Sequence, residues 1–253
     1  MFDHVAIRVS DLEEARRFYG LAMSTLGFGA PETDGQFFEW WDFSVSTARE
    51  DRPVTRNLHV GFVARSREAV DEWWETMTSA GYPNDGSPGI RPHYAPKYYG
   101  AFVLDPDGNS VEAVHEGCKR AAGKTVGIPR PGDNHVDHLW LRVRDLAATR
   151  AFYETIAPVV GVAVRIPSIG GVAVAGDDRH FLCVRDGRAP TENVHIALPA
   201  PDNATVDEFH RVALAAGYRD NGAPGERRYH DGYYGAFVLD PDGNNVEVVC
   251  HNR

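Results

Sequence analysis

Tyr98-Tyr99-Gly100-Ala101-Phe102-Val103-Leu104-Asp105-Pro106-Asp107-Gly108-Asn109 recurs without a change at Tyr233 to Asn244. Asp-Pro-Asp-Gly puts proline at the second turn position and glycine where a left-handed residue is needed. A type I turn with a glycine bulge between two hairpin strands follows. Counting outward, Asn109 opposes Asp105, Ser110 opposes Leu104 and Glu112 opposes Phe102. Opposed residues share a face, so Glu112 and Phe102 point the same way, with Gly100 and Tyr98 further along. The second copy places Glu247 with Phe237, Gly235 and Tyr233. The aspartates of the turn read as backbone-shaping residues, not ligands.

The repeat extends outward from this hairpin. Asp3-His4-Val5-Ala6-Ile7-Arg8-Val9 reads against Asp137-His138-Leu139-Trp140-Leu141-Arg142-Val143. Phe18-Tyr19 recurs as Phe152-Tyr153, and Asn57-Leu58-His59-Val60 as Asn193-Val194-His195-Ile196. Two domains are expected, 1–117 and 134–253, joined by a glycine-, proline- and lysine-containing linker at 118–133.

Each domain splits again. Val5, Ile7 and Val9 alternate with His4, Ala6 and Arg8, a strand period. Ser10 or Asp11 then offers a helix cap. Leu12, Ala15, Phe18, Tyr19, Ala22 and Leu26 follow at helical spacing up to Gly27. Leu58, Val60 and Phe62 begin the same order again. Ser66 caps a helix carrying Val70, Trp73, Trp74 and Met77, which Gly81 ends. Phe37–Phe43, Gly100–Leu104 and Ser110–Val114 read as strands. The expected fold is α+β: four βαβββ modules in two curved eight-stranded sheets, with helices on the outer faces and a cleft lined by His4, Ala6 and Arg8.

Three ligand-type positions recur in register: His4, His59 and Glu112, then His138, His195 and Glu247. Two imidazoles and a carboxylate on neighbouring strands hold a divalent ion on one side and leave other positions open. Fe, Mn, Zn, Ni and Co all suit such donors. His4 and His59 begin equivalent strands, so His4 could meet His59 and Glu112, or instead His195 and Glu247; the first is the expected grouping, because it needs no exchange of modules.

With 253 residues, 43% apolar, 25% charged and a net charge of -10, the composition is that of a soluble globular protein and argues against a nucleic-acid partner. No stretch is apolar enough to suggest a membrane span. Three scattered cysteines, Cys118, Cys183 and Cys250, and a start with no secretory pattern suggest a cytoplasmic protein.

These motifs resemble the vicinal oxygen chelate superfamily, which includes glyoxalase I, bleomycin-resistance proteins, fosfomycin-resistance thiol transferases, extradiol dioxygenases and methylmalonyl-CoA epimerases. The resemblance covers nearly the whole chain, which looks like a tandem fusion of two small members. It implies metal ligation by the six residues above and a small-molecule substrate, by a monomer or homodimer. Glyoxalase I has a fourth ligand, usually Glu, on the fourth strand. Here that region offers Asp42 or His180 instead. Extradiol dioxygenases have a tyrosine where Phe102 and Phe237 stand, a role for which Tyr98, Tyr233, His93 and His230 are the nearby substitutes. The thiol transferases' threonine is replaced by Ala6 and Trp140. Tyr98 and Tyr233 are the expected acid or hydrogen-bond donors. The resemblance implies a metal-dependent lyase, isomerase or dioxygenase acting through two adjacent substrate oxygens. The alternative is a protein that sequesters an antibiotic or similar planar compound against Phe37, Phe38, Trp40, Trp41 and Trp140.

Overall fold

A computed structural model describes residues 2–116, 135–167, 170–176 and 180–252. The expected linker and Cys118 lie outside the described residues. Four modules follow in order. The first is β1 (Val5–Val9), α1 (Leu12–Thr25), β2 (Glu32–Thr33), β3 (Phe37–Trp40) and β4 (Phe43–Thr47). The second is β5 (His59–Val63), α2 (Arg67–Ser79), β6 (Asn84–Ile90), β7 (Tyr99–Leu104) and β8 (Ser110–His115). The third is β9 (Val136–Arg142), α3 (Leu146–Val160), β10 (Ala163–Arg165), β11 (Val172–Ala175) and β12 (His180–Val184). The fourth is β13 (His195–Pro199), α4 (Asn203–Ala215), β14 (Arg219–Glu226), β15 (Tyr234–Leu239) and β16 (Asn245–Cys250).

Two mixed eight-stranded sheets result, in the orders β14-β15-β16-β13-β1-β4-β3-β2 and β10-β11-β12-β9-β5-β8-β7-β6. The expected α+β architecture of four modules is therefore present. Packing divides the chain into two compact units, Ile7–Leu139 and Met1–Ala6 with Trp140–Arg253. The first six residues join the later unit because β1 pairs antiparallel with β13, Val5 opposite Ile196 and Ala6 opposite His195.

Local chemistry explains the elements. Asp11, Ser66, Asp145 and Asp202 cap the four helices, each side chain accepting a first-turn backbone N–H. Val5, Ile7 and Val9 are buried, as the strand period requires, and so are Phe18, Tyr19, Val70 and Trp73 on the helices. One reading needs correction. The segment Phe37–Phe43 is not one strand: Trp41, at a left-handed φ of 48°, breaks it into β3 and the start of β4. The stretch Asn84–Ile90, rich in glycine and turn residues, forms β6 despite its composition. Its pairing with β7 is bulged between Asn84 and Gly89, which erases the alternation a regular strand would show.

Candidate metal centres

The Asp-Pro-Asp-Gly-Asn turn sets the position of each second histidine. Gly108 adopts the left-handed φ of 83°, and Asp105 Oδ1 accepts the N–H groups of Asp107 and Asn109 at 2.9 and 2.8 Å. Asn109 Oδ1 then accepts the N–H of Leu58 at 3.1 Å, fixing the residue before His59. Asn244 does the same for Val194, before His195, at 3.2 Å. The turn aspartates thus have the backbone role read from the sequence. The hairpin register is also as counted, Phe102 opposite Glu112 and Phe237 opposite Glu247.

Parallel pairing of β5 with β8 sets Gly61 beside Glu112, and that of β13 with β16 sets Ala197 beside Glu247. Each histidine that opens the middle strand therefore shares a face with the neighbouring glutamate, two residues away in register. His59 Nε2 lies 3.0 Å from Glu112 Oε2, and His195 Nε2 lies 2.8 Å from Glu247 Oε2.

The third ligand corrects the expected grouping. His4 does not join His59 and Glu112. The structure gathers His4 with His195 and Glu247, and His138 with His59 and Glu112. Backbone pairing is the cause: Asp3 N–H donates to the Ala197 carbonyl and Ala197 N–H to the His4 carbonyl, both at 2.9 Å. His4 Nε2 then stands 3.6 Å from Glu247 Oε2, while His138 Nε2 stands 3.3 Å from Glu112 Oε2 and 3.2 Å from His59 Nε2. In each triad the donor atoms all lie within 4.8 Å of one another.

The surrounding groups orient these donors. Asp3 Oδ1 is 2.8 Å from His4 Nδ1, and Asp137 Oδ1 is 2.9 Å from His138 Nδ1. A proton on each Nδ1 leaves the Nε2 lone pair facing the triad. His59 Nδ1 has Ser110 Oγ at 3.1 Å, and that hydroxyl donates to Asp85 at 2.7 Å. The Tyr98 hydroxyl donates to both oxygens of Glu112, at 2.8 and 2.9 Å, and Tyr233 to Glu247 Oε1 at 2.7 Å. The predicted tyrosines therefore act on the glutamates. The Asp-His dipeptides and Ser110 went unread as orienting groups, although Asp3-His4 and Asp137-His138 stand in the repeat itself.

Small residues make room. A Cβ on Gly100 would collide with the Glu112 carboxylate, and one on Gly235 would sit 2.6 Å from Glu247 Oε1. A Cβ on Gly61 would collide with the His138 ring. Ala197 occupies the matching place beside His4.

Electrostatics suit a cation. Burial pushes the Glu112 carboxyl up, but hydrogen bonds from His138 and His59 more than offset it, leaving the group below the usual glutamate value. Glu247 behaves alike, through His195. Burial and the adjacent glutamates push the Tyr98 and Tyr233 hydroxyls far above an ordinary phenol, so both remain donors. Burial depresses His138, yet hydrogen bonds to Asp137 and Glu112 win and carry it up to about 10 in the metal-free cluster. Burial also pushes Asp3 up, and hydrogen bonds from His4 and His251 bring it below its ordinary value.

Phe102 walls one centre, its ring 5.7 Å from that of His59, and Phe237 walls the other, 6.0 Å from His195. The remaining candidates stand elsewhere. The Asp42 carboxylate accepts the N–H groups of His135 and Val136 at 3.0 to 3.2 Å, and His180 is exposed at the start of β12. Neither belongs to a donor group among the described residues. His93 packs on Tyr94, ring to ring at 4.0 Å. Phe38 and Trp40 are buried, Phe38 beneath Arg16 of α1, and Trp41 is 59% exposed. No helix among the described residues is long and apolar enough to cross a membrane.

Each compact unit thus holds one cluster of two histidines and a glutamate that could take a metal ion. The family model of the Glyoxalase/Bleomycin resistance protein/Dioxygenase superfamily matches residues 1–113 and 135–248, and the chain belongs to that superfamily. An uncharacterised Bacillus subtilis protein, YqjT, is 31% identical over 134 residues, covering 46% of this chain and 98% of its own. Glyoxalase I from Zea mays aligns over 99% of this chain and 92% of its own, with TM-score 0.64 and 19% identity. A putative dioxygenase from Bacillus subtilis aligns over 100% of this chain and 85% of its own, with TM-score 0.64 and 15% identity. At such identities these two structures speak to the fold alone.

Proposed function

We propose that the protein is a metalloenzyme in which His4–His195–Glu247 and His59–Glu112–His138 each hold a divalent ion. An ion held there would supply Lewis acidity towards a small substrate bearing two adjacent oxygens. The observation that carries this reading is the convergence of two Nε2 atoms and one carboxylate oxygen at each site, within 4.8 Å of one another. The donor set fits. Two imidazoles with a carboxylate suit Fe, Mn, Zn, Ni or Co, and three protein donors leave other coordination positions for water and substrate. When bound, the ion would polarise the chelating oxygens and stabilise charge that develops there.

The chain's own residues supply the rest. Asp3 and Asp137 fix the histidine tautomers. Tyr98 and Tyr233 orient the glutamates and remain protonated. Phe102 and Phe237 form apolar walls beside the open positions. The domains 1–117 and 134–253 are read as one such module pair each along the sequence, with the centres assembled from strands of both.

Metal analysis of the purified chain tests the reading. Reconstitution with Fe, Mn, Zn, Ni or Co should bring the stoichiometry towards two ions per chain. Zero occupancy with all five metals would sink it.

A further inference from the structure

The phenylalanine wall beside each triad carries a cation. On β6, Ile90 pairs with Tyr99, and the next residue, Arg91, donates its backbone N–H to the Tyr98 carbonyl at 2.8 Å. Arg91 thus opposes Tyr98, and opposed residues on paired strands share a face. That face holds Gly100, Phe102 and Glu112. Arg227 opposes Tyr233 in the same way on β14, its N–H 2.9 Å from the Tyr233 carbonyl. The loop back to the tyrosine is one residue shorter in the second copy, yet the arginine keeps its place. The Arg91 guanidinium lies over the Phe102 ring, 5.6 Å from its centre, and that of Arg227 lies 5.2 Å from the centre of Phe237. Those are the rings that stand beside the ligand-type residues His59 and His195.

The bulged backbone of β6 and β14 makes room for both layers. A Cβ on Gly86 would sit 2.7 Å from the Phe102 ring, and one on Gly222 would sit 2.8 Å from Phe237. A Cβ on Gly89 would meet the Arg91 guanidinium at 2.7 Å, and one on Gly225 would meet that of Arg227 at 3.1 Å. The Ser87 carbonyl accepts from Arg91 at 2.7 Å, and the Ala223 carbonyl accepts from Arg227 at 2.6 Å. These bonds aim the side chains but leave their charge unmatched. Among the described residues neither guanidinium has a carboxylate within ion-pair distance, in a chain with 36 acidic and 26 basic residues. Both side chains are partly exposed. An arginine stays charged, and its fork of N–H donors matches a carboxylate or a phosphate.

We propose that Arg91 and Arg227 are substrate-binding residues that take an anionic group, so that the substrate is a small acid whose carboxylate or phosphate lies a few bonds from its two chelating oxygens. The inference rests on reading both triads as metal centres and narrows which chelators they accept. The phenylalanine between guanidinium and histidine offers an apolar surface to the carbons that join the two ends of such a molecule.

The test loads the full chain with cobalt(II) and titrates its visible absorption with hydroxamates, which chelate through two adjacent oxygens. Acetohydroxamate carries no further charge. The monohydroxamates of succinate and glutarate add a carboxylate, and phosphonoacetohydroxamate adds a phosphonate. At least one anionic probe should bind roughly tenfold tighter than acetohydroxamate, as a charge-assisted hydrogen-bonded pair would give. The class that wins separates a carboxylate substrate from a phosphate one. Arg91→Met with Arg227→Met keeps an apolar stem on each ring, and there the preference should vanish while cobalt stoichiometry is kept. Should that variant not fold, Arg91→Gln with Arg227→Gln, which keeps an amide for the Ser87 and Ala223 carbonyls, reads the same loss. A merely structural role would lower neutral and anionic probes alike. Such a parallel loss, a preference that survives the substitutions, or no preference in the wild type overturns the proposal and leaves the metal reading standing. No cobalt in the wild-type chain, or cobalt with no chelator bound, overturns both.

Discussion

The Tyr98 hydroxyl donates to both oxygens of Glu112, at 2.8 and 2.9 Å, and it is buried there with its carboxylate. Tyr98 and Glu112 are thus one unit, in which the phenol fixes the plane of an anionic ligand. Tyr98→Phe should leave the fold intact and weaken metal binding at the His138 centre by roughly 10–100-fold. Tyr233→Phe should do the same at the His4 centre. Competition against a chelator reads both, and unchanged affinity would reduce the tyrosines to packing residues.

Protonation gives a second prediction, for the metal-free chain. His138 is carried up to about 10 from an ordinary 6.5. A raised folded value contributes stability that is full below 6.5 and is lost as pH rises through about 10. Glu112 is depressed, so its contribution is present above the ordinary glutamate value and is lost as pH falls through the folded one. A metal must displace the His138 proton, so loading this centre near neutral pH should release at least about one proton per ion. Titration calorimetry in buffers of different ionisation enthalpy counts that proton, and a count of zero contradicts the assignment.

Much of this site was legible in the sequence because its local parts are strictly local. The Asp-Pro-Asp-Gly turn fixes hairpin register within a few residues, and register alone sets Glu112 opposite Phe102. Helix caps and strand alternation are equally short-ranged. The grouping of His4 was not legible, because β1 must choose between two equivalent strands, β5 and β13, which both open on the matching histidine. That choice is made by long-range pairing, which leaves no local mark.

A stability contrast follows from the repeat. Tyr19 and Tyr153 are matching buried helix residues. The Tyr19 hydroxyl donates to Asp105 Oδ2 at 2.8 Å, whereas the Tyr153 hydroxyl has no partner among the described residues. Tyr19→Phe should cost about 1–3 kcal/mol, while Tyr153→Phe should be neutral or mildly stabilising. Denaturant midpoints of the two variants measure the difference, and equal losses would contradict it. Burial also raises Asp240 to about 6, a value that should cost stability as pH rises from 3.8 through 6.

Space beside the third ligand separates the centres. Gly61→Ala would drive a methyl into the His138 ring, while Ala197 already holds the matching place beside His4. Gly61→Ala should lower cobalt affinity at the His138 centre and leave the other untouched. Ala197→Gly should leave binding at the His4 centre intact. Equal loss at both centres from Gly61→Ala would point to general damage to the fold.

Ligand chemistry is the most direct consequence of the donor count. Each triad offers an ion two imidazoles and one carboxylate oxygen, and a five- or six-coordinate ion then keeps two or three positions for other oxygens. A ligand with two neighbouring oxygens closes a five-membered ring there and displaces water. Catechols, 2-hydroxyketones and hydroxamates should therefore bind the metal-loaded chain and fail to bind the metal-free one. Glu112→Ala with Glu247→Ala removes both anionic ligands and should abolish that binding. Phe102→Ala or Phe237→Ala should keep the ion and change which probe binds best, since those rings stand beside His59 and His195 and belong to neither donor triad. Calorimetry with and without metal distinguishes the cases. Tight binding of a flat aromatic compound to fully metal-free protein would move the assignment from catalysis to sequestration.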